Sequence, residues 1–226
     1  MSLMASAQPE LTLIGLKVSV YTRIARIMLA EKALDYSFQA ASPFNDPPDA
    51  PLPELTRFAR IPVLRHGAFT LAETRAILSY LDALGEGASV FPAEPKARAR
   101  AEQVMGIIDA YGYWPLVRQV FAHRVFRPLE GLEADEAEVA EGVTQARPVL
   151  ETLNDIAAEG LVLNKAEFSA ADIYLAPMMD YFAMAPEGAR ALADHAALAD
   201  WWGWAMSHAS VRATAPDFSK LRSGNA

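Results

Sequence analysis

Three short segments in the first half of the chain carry residue types suited to holding a small ionic ligand. The first is Ser19-Val20-Tyr21-Thr22, between an apolar run and an amphipathic stretch. A hydroxyl at a helix N-terminus can donate a hydrogen bond to an anionic sulfur, and the helix dipole favours the same anion. Together these lower the pKa of a bound thiol. A serine in that place equally serves as the helix's own N-cap, and Tyr21 and Thr22 are close enough to supply the hydroxyl instead. The second is Arg60-Ile61-Pro62-Val63-Leu64, with a proline at a strand start, where its missing donor is not demanded. The third is Glu73-Thr74-Arg75-Ala76-Ile77 at the start of a helical pattern. Its carboxylate can pair with an ammonium, while the Thr74 hydroxyl and backbone N–H can face a carboxylate; both residues also simply suit a first helical turn.

Other chemistries are excluded by what the 226 residues lack. There is no cysteine, which removes thiol nucleophiles, disulfides, thiolate zinc sites and CxxC redox chemistry, so any thiol chemistry must use a ligand's sulfur. The four histidines, His66, His123, His195 and His208, show no HxxxH or HExxH spacing, and no metal is expected. The acidic stretch from Glu130 to Glu141 reads as a solvated helix face. No glycines are spaced as GxGxxG or GxxxxGK, which excludes dinucleotides and ATP. A net charge of -8 without a basic, aromatic-interleaved patch argues against nucleic acid. Met1-Ser2-Leu3-Met4 is not followed by a secretory pattern, so a cytoplasmic protein is expected, and Met1 to Leu3 are set aside as a possible expression scar. Nowhere do about 18 apolar residues run together, so no membrane span is expected.

The elements that must position these segments follow from hydrophobic period. Leu11 to Gly15 reads as a buried strand, and Tyr21, Ile24, Ala25 and Met28 place a helix over Tyr21 to about Ala33, with Arg23, Arg26 and Glu31 off its apolar stripe. Leu34 to Ala40 suits a second strand, parallel to the first across the helix. Ser42 to Pro53 contains five prolines and reads as a loop. Ile61 to Arg65 and Ala68 to Leu71 form a hairpin turned at His66-Gly67, and Glu73 to Leu84 a helix stopped by Gly85. After the linker Phe91 to Pro95 the chain is helical throughout, over Pro95–Arg124, Asp135–Glu159, Ala170–Phe182 and Ala189–Ser207. Ser169 and Asp172 make a capping box flanked by Phe168 and Ile173, and Pro177 should kink the helix that follows. The fold class is therefore an α+β domain over 9–87, in the order β-α-β-loop-β-β-α, followed by an all-α domain over 95–218.

These motifs and their order resemble the soluble glutathione S-transferase family, serine-type and bacterial-like. Ser19-Val-Tyr-Thr-Arg-Ile-Ala-Arg-Ile27 is similar to the family's Ser-Pro-x-x-x-(Lys/Arg)-Val-Arg-Ile, with Val20 where the proline stands. Arg60 to Leu64 resembles (Gln/Lys)-Val-Pro-Val-Leu, with Ala59 in place of the family's glycine before it. Glu73 to Ile77 resembles Glu-Ser-x-Ala-Ile with Thr74 for serine, and Ser169 to Asp172 the family's Ser-x-x-Asp box. The resemblance implies a thioredoxin-like, glutathione-binding first domain in which Ser19 stabilises the thiolate. It implies that Ile61 offers its backbone to the cysteinyl residue before a cis Pro62, and that Glu73 and Thr74 hold the γ-glutamyl end. Arg60, with Arg57 behind it, is the best-placed candidate cation for the glycyl carboxylate. The family's electrophile pocket lies between its domains, which makes Tyr21, Tyr113 and Trp114 expected walls, with Tyr111 and Phe121 further aromatic candidates. The expected activity is glutathione transfer to small electrophiles by a homodimer packed across the third helix and the first helix of the helical domain. A glutathione-dependent isomerase or peroxidase, or a binding protein without turnover, is the alternative on the same fold.

Overall fold

The computed structural model describes residues 11–218. Met1 to Met4, and Pro9 and Glu10 at the expected start of the first domain, lie outside the described residues. The chain divides into two compact units, Met1–Gly87 and Ala88–Ala226.

In the first unit, β1 (Leu11–Gly15), β2 (Ser37–Ala40), β3 (Val63–His66) and β4 (Phe69–Ala72) form one sheet in the order β2-β1-β3-β4. β1 runs parallel to β2, joined by α1 (Val20–Glu31), and antiparallel to β3, which pairs antiparallel with β4. The helix α3 (Thr74–Leu84) packs against α1. Strand alternation sends Ile14 and Val63 to one face, where they close a small core with Ala41 and Leu52, and Leu13 and Leu64, fully buried, to the other.

Several boundaries differ from the sequence expectation for local reasons. The second strand starts at Ser37, not Leu34, because α1 finishes through Ala33 at φ 49° with the Leu34 N–H returning to the Leu29 carbonyl at 2.9 Å. The proline-rich loop ends early in a one-turn helix, α2 (Leu52–Leu55), since Pro53 is tolerated in a first turn and Leu52 buries completely. Asp49 organises the preceding loop, accepting from the Ser42 N–H at 2.9 Å and Asn45 Nδ2 at 2.7 Å, which holds its carboxyl below the usual range. The hairpin turns at Gly67-Ala68 (Gly67 φ 60°), because His66 still pairs with Phe69. Gly85 ends α3 in an extended conformation, not a left-handed one; a Cβ there would meet Lys32 Cβ at 2.7 Å, so it is the packing of the Lys32 stem that excludes a side chain. Arg23, off the apolar stripe, is nevertheless fully buried.

The second unit is helical. α4 (Pro95–Ile107) continues into two π-helical stretches, Ile108–Gly112 and Trp114–Phe126, and the short α5 (Arg127–Leu129). The expected α-helix to Arg124 is thus one helical run whose bonds widen by a residue, as in Tyr113 N–H to the Ile108 carbonyl, around Pro115, which has no N–H to give. Then come α6 (Glu136–Glu159), capped by Asp135, α7 (Ala170–Ala183), α8 (Pro186–Ala193), α9 (Ala196–Ala205) and α10 (Ala209–Ala213). The single helix expected over Ala189–Ser207 is two, α8 and α9. Pro186 starts α8 earlier, and the chain breaks at Asp194-His195, where Asn154 Oδ1 accepts from the Ala197 and Leu198 N–H groups at 3.1 and 3.3 Å. At α7 the Ser169 N–H and Oγ–H both donate to Asp172 Oδ2, at 2.8 and 2.6 Å. Trp201 Nε1 donates to the other oxygen at 2.6 Å, and burial pushes the Asp172 carboxyl up from its ordinary value.

Candidate functional site

Strand register brings the three segments singled out above to one end of the sheet. Ile14 pairs with Val63 and Val63 with Ala72, so Gly15, Pro62 and Glu73, the residues just beyond each pairing, leave three adjacent strands side by side. α1 and α3 both begin at that end, each presenting N–H groups and the positive pole of its dipole. Adjacent strands lie about 4.8 Å apart, so β1, β3 and β4 together set the segments across roughly 10 Å.

Ser19 is the N-cap of α1, with φ -75° and ψ 128°, and its Oγ accepts from the Thr22 N–H at 3.4 Å. The cap and the catalytic reading are compatible, because accepting that bond leaves the hydroxyl proton free to donate. At 3.4 Å the cap is a weak one. The Thr22 hydroxyl is fully buried without a partner among the described residues and lies over Gly15. A Cβ on Gly15 would stand 2.5 Å from Thr22 Oγ1 and 3.5 Å from Ile61 Cβ, so glycine is what lets the first turn of α1 approach the Ile61 loop. Tyr21, beside Thr22, is half-buried.

The Ile61–Pro62 peptide is cis, Pro62 is buried and Ile61 half-buried. Two residues earlier Arg60 is exposed, and no ion pair or hydrogen bond engages it among the described residues. Ala59 has φ 46°, a left-handed conformation that glycine adopts without steric cost, which gives a physical reason for glycine in the pattern it departs from. Glu73 was expected inside the first turn of α3. It is instead the N-cap, at φ 69° and ψ 115°, with an exposed side chain that makes no capping bond. Such a backbone is costly for a non-glycine residue and is found where a site requires it. Nothing in the residue type signals it, since glutamate has no preference for positive φ. Thr74 is buried at the first position of the helix.

The remaining aromatic candidates belong to the second unit. Tyr113, between the two π-helical stretches, is half-buried, and Trp114 is 56% exposed. Tyr111 is also exposed, whereas Phe121 is buried against Tyr181 and Phe218 and belongs to the core. Among the described residues no three His, Cys, Asp or Glu side chains are placed to hold a metal, and no helix is long and apolar enough to cross a membrane.

Two family models match the chain, the glutathione S-transferase N-terminal domain over residues 13–89 and the C-terminal domain over 136–201. The chain belongs to the glutathione S-transferase family. It is 25% identical over 181 residues to a stringent starvation protein A homolog of Haemophilus ducreyi, covering 79% of this chain and 78% of that protein. It is 26% identical over 164 residues to glutathione S-transferase F10 of Arabidopsis thaliana, covering 72% and 76%. The solved structure of a glutathione S-transferase III in its apo form superposes with a TM-score of 0.78 at 26% identity, over 91% of this chain and 95% of that one. The fold is accordingly the family's: a thioredoxin-like domain followed by an all-helical one.

Proposed function

We propose that the protein binds glutathione and transfers its thiolate to small electrophilic molecules. The observation that carries this reading is the convergence of Ser19, Ile61-Pro62 and Glu73-Thr74 at one sheet end, over a span of roughly 10 Å that equals an extended tripeptide at about 3.4 Å per residue. In this reading Glu73 pairs with the γ-glutamyl ammonium, and the Thr74 hydroxyl and N–H take its carboxylate at the N-terminus of α3. The Ile61 backbone holds the cysteinyl residue in extended pairing, with Pro62 shaping the approach. Arg60, whose guanidinium has no competing acid, receives the glycyl carboxylate. The cysteinyl sulfur then meets the Ser19 O–H and the positive end of α1, which hold it as thiolate. Binding fixes the nucleophile in place, so catalysis is thiol activation plus proximity. Tyr21, in the same unit as Ser19, is proposed to contact the electrophile.

We also propose that the working form is a cytoplasmic homodimer. Phe58, before β3, is 75% exposed and Phe69, on the edge strand β4, is 48% exposed. These are apolar surfaces that a second copy would cover.

A reading without turnover is favoured by relatives named for stringent starvation rather than transfer. Calorimetric titration with glutathione, followed by a panel of aryl halides, enals and isothiocyanates, separates the two. Binding with conjugation establishes the transferase; binding without conjugation leaves a glutathione-binding protein; no binding at millimolar glutathione removes both.

A further inference from the structure

In the second unit, the end of the longer π-helical stretch and the start of α5 hold the loop that leads into α6 by three ties. His123 Nδ1 accepts from the Asp135 N–H at 3.0 Å, and Arg127 Nε donates to the Glu133 carbonyl at 2.9 Å. Arg124 meets both carboxylate oxygens of Glu136, at 2.6 and 2.7 Å.

The three ties answer acid differently. A backbone N–H can only donate, so Nδ1 must be the bare nitrogen of the ring, and a neutral His123 carries its proton on Nε2. Protonation sets an Nδ1–H against the Asp135 N–H, two donors facing each other, and that tie is lost. Histidine is the side chain whose charge changes between about pH 8 and 5. The arginine ties hold through the same interval, because a guanidinium stays charged and its hydrogen bonds keep the Glu136 carboxyl below the usual carboxylate range.

The charged ring also has somewhere to go. Asp135 caps α6 through Oδ1 alone, accepting from the Ala137 and Glu138 N–H groups at 2.9 and 3.3 Å, and its Oδ2 has no hydrogen bond among the described residues. The other acids on the elements packed against this run are committed elsewhere. Glu136 and Glu187 are taken by Arg124, Glu138 by Gln119 Nε2 at 3.0 Å, and Asp172 by the cap of α7, while Asp180 of α7 has a partner of its own. Of the acids on the loop, Glu130, Glu133 and Asp135, the last is the one already at the ring.

We propose that His123 and Asp135 form a proton-operated clasp on the loop before α6. With the ring neutral, the Asp135 N–H donates to it and the loop is closed. With a proton taken from solvent, the ring donates to the Asp135 carboxylate, the N–H is released and the loop loosens, still tethered by Arg124 at Glu136. One residue thus serves both states of the ring, which makes the clasp two-state.

The test is NMR of the full chain at about pH 7.5 and 5.5, on either side of the histidine window. Long-range proton–nitrogen correlation should show the His123 proton on Nε2 at the higher pH. Amide exchange, corrected for its intrinsic pH dependence, should show Asp135 losing about fivefold or more of its protection at the lower pH, as expected for one neutral hydrogen bond, with α6 beyond Val139 unchanged. His123→Asn, whose Oδ1 accepts as Nδ1 does and does not titrate, should keep Asp135 protected at both pH values, and His123→Phe should leave it unprotected at both. The proposal is overturned by a neutral ring protonated on Nδ1, by equal Asp135 protection at the two pH values in the unsubstituted protein, or by a loss at the lower pH that persists in His123→Asn.

Discussion

Replacing Ser19 by alanine separates the two roles that its position offers. As a cap, Ser19 accepts from the Thr22 N–H at 3.4 Å, near the limit of a hydrogen bond, so the loss of stability should fall at the low end for N-caps, about 0.5 kcal/mol. As a donor to a thiolate it makes a hydrogen bond to a charged group, worth about 1.5–3 kcal/mol, which is about 1–2 pKa units at 1.36 kcal/mol per unit. The bound thiol should therefore titrate about 1–2 units higher in the variant, read from ultraviolet thiolate absorbance against pH with glutathione saturating. Rate should change less than thiolate fraction, because a more basic thiolate is a better nucleophile with a Brønsted slope near 0.4–0.5. At a pH below both thiol pKa values, turnover should fall about three- to tenfold with glutathione affinity little altered. Ser19→Thr, which keeps the hydroxyl and can still cap, should restore most of both. A thiol pKa unchanged in Ser19→Ala would refute the donor role; accompanied by a small fall in melting temperature, it would leave Ser19 as a cap alone.

Three further outcomes follow from the same geometry. Glu73→Gly should raise thermal stability by up to about 1 kcal/mol by relieving the backbone at φ 69°, while weakening glutathione binding through loss of the carboxylate; a parallel melting curve and titration show whether stability and affinity move in opposite directions. Gly15→Ala places a methyl 2.5 Å from Thr22 Oγ1 and should cost about 1–3 kcal/mol in denaturant unfolding and weaken glutathione, since the first turn of α1 must shift away from the Ile61 loop. Asp172→Asn should cost about 1–3 kcal/mol, because donors approach both carboxylate oxygens and either amide orientation leaves one of them facing an NH2. Burial raises the folded-state pKa of Asp172, so this group's contribution is fully present below its unfolded value of about 3.9 and is lost as pH rises through the folded pKa. The stability gap between wild type and Asp172→Asn should accordingly narrow from acid to neutral pH in chemical denaturation at several pH values.

What could be read from the sequence was whatever repeats with a period or depends on a residue's own chemistry. β1 falls at Leu11–Gly15 as the apolar run and its glycine require, and the Ser169-Asp172 box starts α7 because both partners lie within one turn. What could not be read depends on residues distant in the chain. The break between α8 and α9 is held by Asn154, more than forty positions earlier, so the apolar spacing across Asp194-His195 reads as one helix. The third donor to Asp172 is the Trp201 ring, 29 positions further along the chain.

The candidate site divides along the same line. Residue types and spacing named Ser19, Ile61-Pro62 and Glu73-Thr74 separately, but only the pairing of Ile14 with Val63 and of Val63 with Ala72 puts them on one sheet end. The departures from the family pattern then acquire different weights. Ala59 stands at φ 46°, a left-handed conformation that glycine adopts without steric cost, so that substitution is taken up as local backbone strain. Val20 is different, because it is the first residue of α1, buried and immediately beside Ser19. A helix that begins with valine keeps a backbone N–H that proline lacks, and so presents one more donor at the pole to which the proposed function assigns the thiolate. The same change that departs from the pattern therefore adds to the electrostatics the pattern serves, which makes thiol activation, more than loss of function, the consequence to expect of Val20.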